Sequence, residues 1–241
     1  MSESSRQALW LSLQVALLTV LIATPLSVGL ATWMARARWR GKVLLDTLIL
    51  LPLGLPPAVI GFWLLISLGD QGAVGQWVRR DLGWHLSLYP TGAVLAATFM
   101  TVPLMTRLLR PAFEAHDPML LPVARTLGAS RWQAWWTVSL PLATPAVLSA
   151  MVLGMAAAWG ESGAVLVLMS TLPVDPQAAP AAVALWQSLR EPRQAQVAWD
   201  VAAVSLGVAV LAVLLSEALR ARWRQQWRVH GGLAPQTVGA P

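Results

Sequence analysis

PVARTLGASRWQAWWTVSLP, residues 122–141, is the stretch on which the reading of this chain turns. It is a polar, basic interruption between strongly apolar segments. Gly128 divides it, and Ser130 and Gln133 have the spacing of a capping box that starts a helix at about Arg131. Upstream, Asp117-Pro118 resembles an N-cap followed by proline at the first helical position, but Pro122 disfavours a helix running on through it. The stretch therefore predicts a turn over 118–121 and a helix beginning at Pro122. Gly128 then supplies a left-handed exit, and a second short helix ends at Leu140-Pro141, which leads into the fourth membrane helix. The elbow so formed presents Arg125, Thr126, Arg131 and several tryptophans. The whole loop, 111–141, is long, whereas connections in helical bundles usually run about 2–8 residues.

On either side of the elbow the chain is written for lipid. Of its 241 residues 56% are apolar and only 12% charged, against about 25% charged in soluble domains. Apolar runs lie at 9–34, 44–69, 94–109, 145–169 and 197–219. A bilayer core needs about 20 apolar residues per helix, a length the third run reaches only when extended back to Tyr89. The expectation is an all-α integral membrane protein of about five spanning helices, because helices satisfy their backbone groups internally. The chain reads as one domain, 1–241, with a core over 8–220 and a disordered tail at 231–241. The first run is too long for a cleaved signal segment and is expected to remain as an anchor.

Charge placement orients the bundle. Net charge is +6, and twelve of the seventeen basic residues fall on one expected face. Arg36, Arg38, Arg40 and Lys42 follow the first helix. Arg107, Arg110, Arg125 and Arg131 flank or enter the elbow loop, and Arg220, Arg222, Arg224 and Arg228 follow the last helix. The positive-inside rule makes that face cytoplasmic, with the N-terminus outside and the C-terminus inside. This placement assigns the basic surplus to a membrane and not to nucleic acid. Trp10, Trp39, Trp84, Trp199 and Trp223 sit near helix ends, as interfacial belts require. An outer loop is expected at 70–89, turning at Asp70-Gln71-Gly72. A second, 171–193, is expected to hold an amphipathic interfacial helix at 181–190.

Two spans are not straight rods. Pro25 should kink the first helix. The second contains Pro52, Pro56, Pro57, Gly54 and Gly61, and broken backbone at membrane depth is tolerated only where protein or a water cavity covers it. Pro56, Pro57 and Gly61 therefore either line a translocation path or gate, or serve helix packing. The fourth run is interrupted at Trp159-Gly160-Glu161-Ser162-Gly163. A carboxylate inside an apolar segment is costly and is a functional hypothesis by default. Two roles fit Glu161: capping the break at Gly160 or pairing with an arginine, and gating.

Catalysis finds little support. His85, His116 and His230 are scattered loop residues with no metal-ligand spacing, and the chain has no cysteine. No glycine-rich phosphate loop ending in Lys-Ser/Thr is present, so ATP-driven work requires a second polypeptide.

The elbow resembles the loop by which permeases of ATP-binding-cassette (ABC) importers dock on their ATPases. That family carries Glu-Ala-Ala, three residues, Gly, nine residues, Ile, one residue, Leu-Pro. Here Pro122-Val123-Ala124, Gly128, Val138 and Leu140-Pro141 keep every spacing. Leu51-Pro52-Leu53, the segment Pro56-Pro57-Ala58-Val59-Ile60-Gly61, Gly92-Ala93-Val94-Leu95-Ala96-Ala97 and Ala124-Arg125-Thr126-Leu127-Gly128-Ala129 are most similar to the molybdate branch. Pro122 stands in place of the family glutamate. Gly160-Glu161-Ser162-Gly163-Ala164-Val165 replaces the branch's Gly-Glu-Phe-Gly-Ala-Thr. The resemblance covers roughly 10–220 and implies the type I importer fold. It implies a homodimer around a shared path, a separate binding protein outside, and an ATPase dimer inside that binds ATP and magnesium, this chain holding no cofactor. It implies ATPase coupling through Pro122, Ala124, Arg125, Thr126, Gly128, Arg131, Leu140 and Pro141. The cargo would be molybdate, or tungstate, sulfate or phosphate, in the cytoplasmic membrane of a bacterium or archaeon. An ATP-independent secondary transporter is the alternative from another class.

Overall fold

The computed structural model describes residues 1–37, 40–69, 72–83, 91–117, 119–169, 179–190 and 195–230, the last nine of these as backbone only. The expected turn at Asp70-Gln71, the ring of Pro118, Trp39, Trp84, His85, Tyr89 and the tail 231–241 lie outside the described residues, as do the side chains of Trp223 and His230.

The described residues are helical, with no strand. Helix α1 spans Glu3–Arg36, its first turn capped by Ser2, whose Oγ accepts from the Ser5 amide at 3.1 Å. It runs unbroken through Pro25. One side carries Ala8, Ala16, Ala23 and Ala31, each 2% exposed or less. This small-residue seam lets α5, Thr91–Glu114, approach with its own fully buried Ala93, Ala96 and Ala97, and the pair forms the most extensive contact of the molecule.

Between them, α2 (Lys42–Gly54) and α3 (Pro57–Leu68) meet at a bend of 105°. Leu55-Pro56 makes the corner, and Pro57 opens α3 where no amide partner is needed. The expected outer loop contains a short helix, α4 (Ala73–Leu82), closed by Gly83 at φ 67°. After α5 come the elbow helix α6 (Leu120–Thr126) and α7 (Arg131–Ala134). A π-helical turn, Trp135–Ser139, carries α7 directly into α8 (Leu140–Gly160). Then follow α9 (Gly163–Met169), α10 (Ala181–Ser188) and α11 (Ala195–His230).

Four helical stretches are long and apolar enough to cross a membrane: Glu3–Arg36, Thr91–Glu114, Arg131–Gly160 and Ala195–Ala221. The α2–α3 pair, apolar enough but bent by 105°, is a broken span or a re-entrant loop, so the described residues hold four spans, or five if the pair counts as one.

Two expectations are corrected here. Leu140-Pro141 leads into the next spanning helix, as expected, but does not end the elbow helix, which continues through it. The π turn makes this possible: the Leu140 amide reaches back five residues to the Trp135 carbonyl, which re-registers the ladder where Pro141 would otherwise break it. Likewise, α10 does not simply lie at the interface. Ala181, Val183, Ala184 and Ser188 are buried, and the Ala181 amide donates to Ser12 Oγ of α1 at 2.7 Å.

The two ends of the bundle differ in charge. At one end Ser5 Oγ donates to Asp200 of α11 at 3.1 Å, and the N-terminal ammonium lies 3.9 Å from the same carboxylate. At the other, Arg110 of α5 joins Asp46 of α2 at 2.7 Å and Glu114 at 2.6 Å, with Lys42 3.9 Å from Glu114. Arg36, Lys42, Arg107 and Arg110, with Arg125 and Arg131 of the elbow, gather at this second end, the arrangement that the positive-inside reading requires.

Candidate functional site: an elbow and two broken helices

The elbow is built by local rules. Asp117 Oδ1 accepts from the Met119 amide at 2.8 Å, and the Leu120 amide donates to the Asp117 carbonyl at 3.2 Å. Helix α6 therefore begins at Leu120, two residues before the expected start. Pro122 falls within the first turn, where its missing amide has no intrahelical role. The Gly128 amide donates to the Arg125 carbonyl and the Ala129 amide to the Ala124 carbonyl, both at 3.1 Å, with Gly128 at φ 95°. This is the Schellman closure. Ser130 and Gln133 form the expected capping box: Ser130 Oγ accepts from the Gln133 amide at 3.1 Å, and Gln133 Oε1 accepts from the Ser130 amide at 2.8 Å.

The elbow's outer surface is apolar at its tip and basic at its flanks. Leu127 is 84% exposed, and Val123, Trp132 and Trp136 are exposed beside Arg125 and Arg131. So much apolar surface on a polar loop marks a contact for another molecule. Thr126 is exposed with them, its hydroxyl donating to the Val123 carbonyl at 2.8 Å. Ala124 is half-buried against the bundle, and Leu140 and Pro141 lie inside the continuous helix.

The elbow is also tied to the bundle. Trp135 stacks on Trp132 with ring centroids 5.2 Å apart, meets Trp136 edge-on at 5.1 Å, and donates from Nε1 to Thr32 Oγ1 of α1 at 3.4 Å. Arg36 donates to buried Ser139 Oγ at 3.2 Å, and Ser139 Oγ lies 3.5 Å from His116 Nδ1. Together with Phe113 and Pro122 these groups line a cavity of about 300 Å³ under α6. Burial, and then the nearby Arg36 charge, hold the His116 imidazole below its ordinary pKa, and its Nε2 is buried without a partner. Nothing local in the sequence marks this role: His116 reads there as one loop histidine among three.

The five residues assigned to a path or gate divide. Helices α3 and α9, each the second half of a broken segment, pack together. A Cβ on Gly61 would lie 2.5 Å from the Ala164 carbonyl oxygen, and one on Gly163 would lie 2.7 Å from Pro57 Cβ. Pro57 and Gly61 thus sit in the seam joining the two breaks. Pro56 caps α3 at the corner and is exposed. Gly160 ends α8 with open space beside it. Glu161 pairs with no arginine among the described residues. Its Oε1 accepts from the Ala164 amide at 2.9 Å, which caps the first turn of α9. The carboxylate serves the helix after the break and not the one before it.

Comparison with known proteins agrees with this architecture. Residues 11–225 match the family described as binding-protein-dependent transport system inner membrane component. The chain is 36% identical over 217 residues to the molybdenum transport system permease protein ModB of Escherichia coli strain K12, covering 90% of this chain and 94% of that one. It is 34% identical over 219 residues to the protein of the same name from Haemophilus influenzae, covering 91% and 95%. Among solved structures, a bacterial alginate ABC transporter in complex with its alginate-bound periplasmic protein shares the fold with a TM-score of 0.65. It is 17% identical, over 93% of this chain and 80% of that one. An amino acid ABC transporter shares the fold at a TM-score of 0.55 and 20% identity, over 89% and 94%. Matched by the family over nearly its whole length, this multi-pass chain belongs to the binding-protein-dependent transport system inner membrane components.

Proposed function

We propose that this chain is the permease subunit of an ATP-driven molybdate importer in the cytoplasmic membrane of a bacterium or archaeon. Two copies enclose the path, and a periplasmic or extracellular binding protein delivers the anion. A pair of separate ATPase subunits grips the two elbows and binds all the ATP and magnesium. The permease performs no covalent chemistry. The observation that carries this reading is mechanical. From its capped start at Arg131 a single helical stretch runs through α7 and the π turn into a spanning helix, so a displacement of the exposed elbow is passed on along one continuous helix. The molybdenum-permease relatives supply the choice of cargo.

The test is reconstitution with the cognate ATPase and binding protein in vesicles. ATP turnover stimulated by loaded binding protein is compared for molybdate, tungstate, sulfate and phosphate. Molybdate should stimulate most strongly, and Gly128→Pro should abolish the stimulation while leaving the complex assembled. Uptake that persists without ATP on an ion gradient would assign the chain to secondary transport. Preference for sulfate or phosphate would keep the permease and change the cargo.

A further inference from the structure

A groove of about 510 Å³ lies between α5, α8 and α11, away from the elbow and from the α3–α9 seam. Its floor is made of small, smooth residues: Pro111 and Ala112 from α5, Ala115 just past its end, and Pro145 and Ala146 from α8. Its rim carries Arg107, Arg220 and Glu217. We propose that this groove binds an anionic phospholipid, with the phosphate between the two arginines and an acyl chain along the Pro–Ala floor.

Three observations argue for that occupant. The first is depth. Arg107 lies one turn before Arg110 at the basic end of the bundle, and Arg220 immediately follows the apolar run 197–219, so the two guanidinium groups sit where the hydrocarbon ends. Basic pockets between spanning helices on this side of a membrane suit anionic headgroups. The second is the charge arrangement. Arg220 is held from below, donating through Nε to buried Ser149 Oγ at 3.0 Å, while its Nη1 lies 3.4 Å from Glu217. Ser149 in turn donates to the Ser216 carbonyl at 3.4 Å. Exposed Arg107 has no ion-pair partner among the described residues. Among the described residues the rim thus carries one carboxylate and two guanidinium groups. One of these is pre-oriented, and planar guanidinium forks match phosphate oxygens. The third is access. Only 17% of the spanning window of α11 is buried, so most of the helix that forms one wall of the groove is free to meet lipid.

The permease–ATPase complex, purified in detergent, is examined by native mass spectrometry with phosphatidylglycerol, phosphatidylcholine of the same acyl chains, or inorganic phosphate. Phosphatidylglycerol should be retained in preference to phosphatidylcholine, and millimolar inorganic phosphate should not displace it. Each of Arg107→Gln and Arg220→Gln should weaken retention about fivefold, the value of one basic residue near an anionic surface. Equal retention of the two lipids, or unchanged retention in Arg107→Gln, overturns the proposal. Displacement by inorganic phosphate overturns it in favour of a soluble anion. Arg107→Gln decides the matter even where Arg220→Gln impairs folding, because Arg107 holds no other described group in place. Assembly of a functional importer does not bear on this outcome.

Discussion

Gly128 holds the elbow's bend with a φ of 95°, and nothing lies within 4 Å of the place a Cβ would occupy. The requirement there is for backbone conformation and not for space. Gly128→Ala should therefore introduce about 1–2 kcal/mol of local strain without a clash. Because the site is exposed and far from the core, thermal unfolding of the permease should shift little, while binding-protein-stimulated ATP turnover falls. Glu161 permits a similar separation. Glu161→Gln keeps an acceptor for the Ala164 amide, whereas Glu161→Ala removes it and should cost about 1 kcal/mol, as loss of a helix cap does. Melting temperature should fall for alanine and hold for glutamine. Altered transport in the stable glutamine variant would reveal a gating role for the charge.

At the scale of elements, the α3–α9 seam has no room. Alanine at Gly61 would press on backbone atoms of Ala164, its Cβ lying 2.5 Å from the oxygen and 2.8 Å from Cα. Backbone cannot swing aside as a side chain does, so Gly61→Ala should destabilise by about 1–3 kcal/mol. The readout is a lowered melting temperature of the purified protein. The joint under the elbow should respond to pH. His116 has a depressed pKa in the folded protein, so the unfolded chain binds more protons between that value and the ordinary value of about 6.5. Stability is then full above about 6.5, falls as pH drops through the native pKa, and levels off below it. Melting curves between pH 5 and 7.5 should show this slope, and His116→Gln should flatten it. Arg110 gives the corresponding tie for α2, whose residues are otherwise unburied. That helix and the exposed Phe62 and Trp63 of α3 leave an apolar face for lipid or a second copy.

At the scale of the whole molecule, orientation is open to direct measurement. The chain has no cysteine, so single cysteines report without background. A cysteine at Thr126 should react with a membrane-impermeant maleimide only in inside-out vesicles, and one at Arg6 only in right-side-out vesicles. The opposite pattern would place the elbow outside and remove any contact with a cytoplasmic ATPase. Most of the architecture was legible because it rests on short-range rules and on solvent. Run lengths set the spans, arginine placement marked one end of the bundle as basic, and the Ser130–Gln133 spacing and Gly128 set the elbow. Helix α4, the continuity of α7 with α8 and the earlier start of α6 were not legible. Each depends on how a proline is accommodated or how a short amphipathic segment finds a surface, and such choices leave no period in the sequence.

By itself, then, the sequence determined a helical membrane protein, the gathering of its basic residues at one end and the position of its elbow, since hydrophobic run length, charge and capping act within a few residues of themselves. Only the tertiary structure decided that Glu161 caps the second half of a broken helix, that Gly61 lies against Ala164, and that His116 meets Ser139 and lines a cavity with Arg36. Those pairings join residues whose proximity is fixed by helix packing over the whole bundle, and no local pattern encodes which distant backbone a small or polar residue will meet.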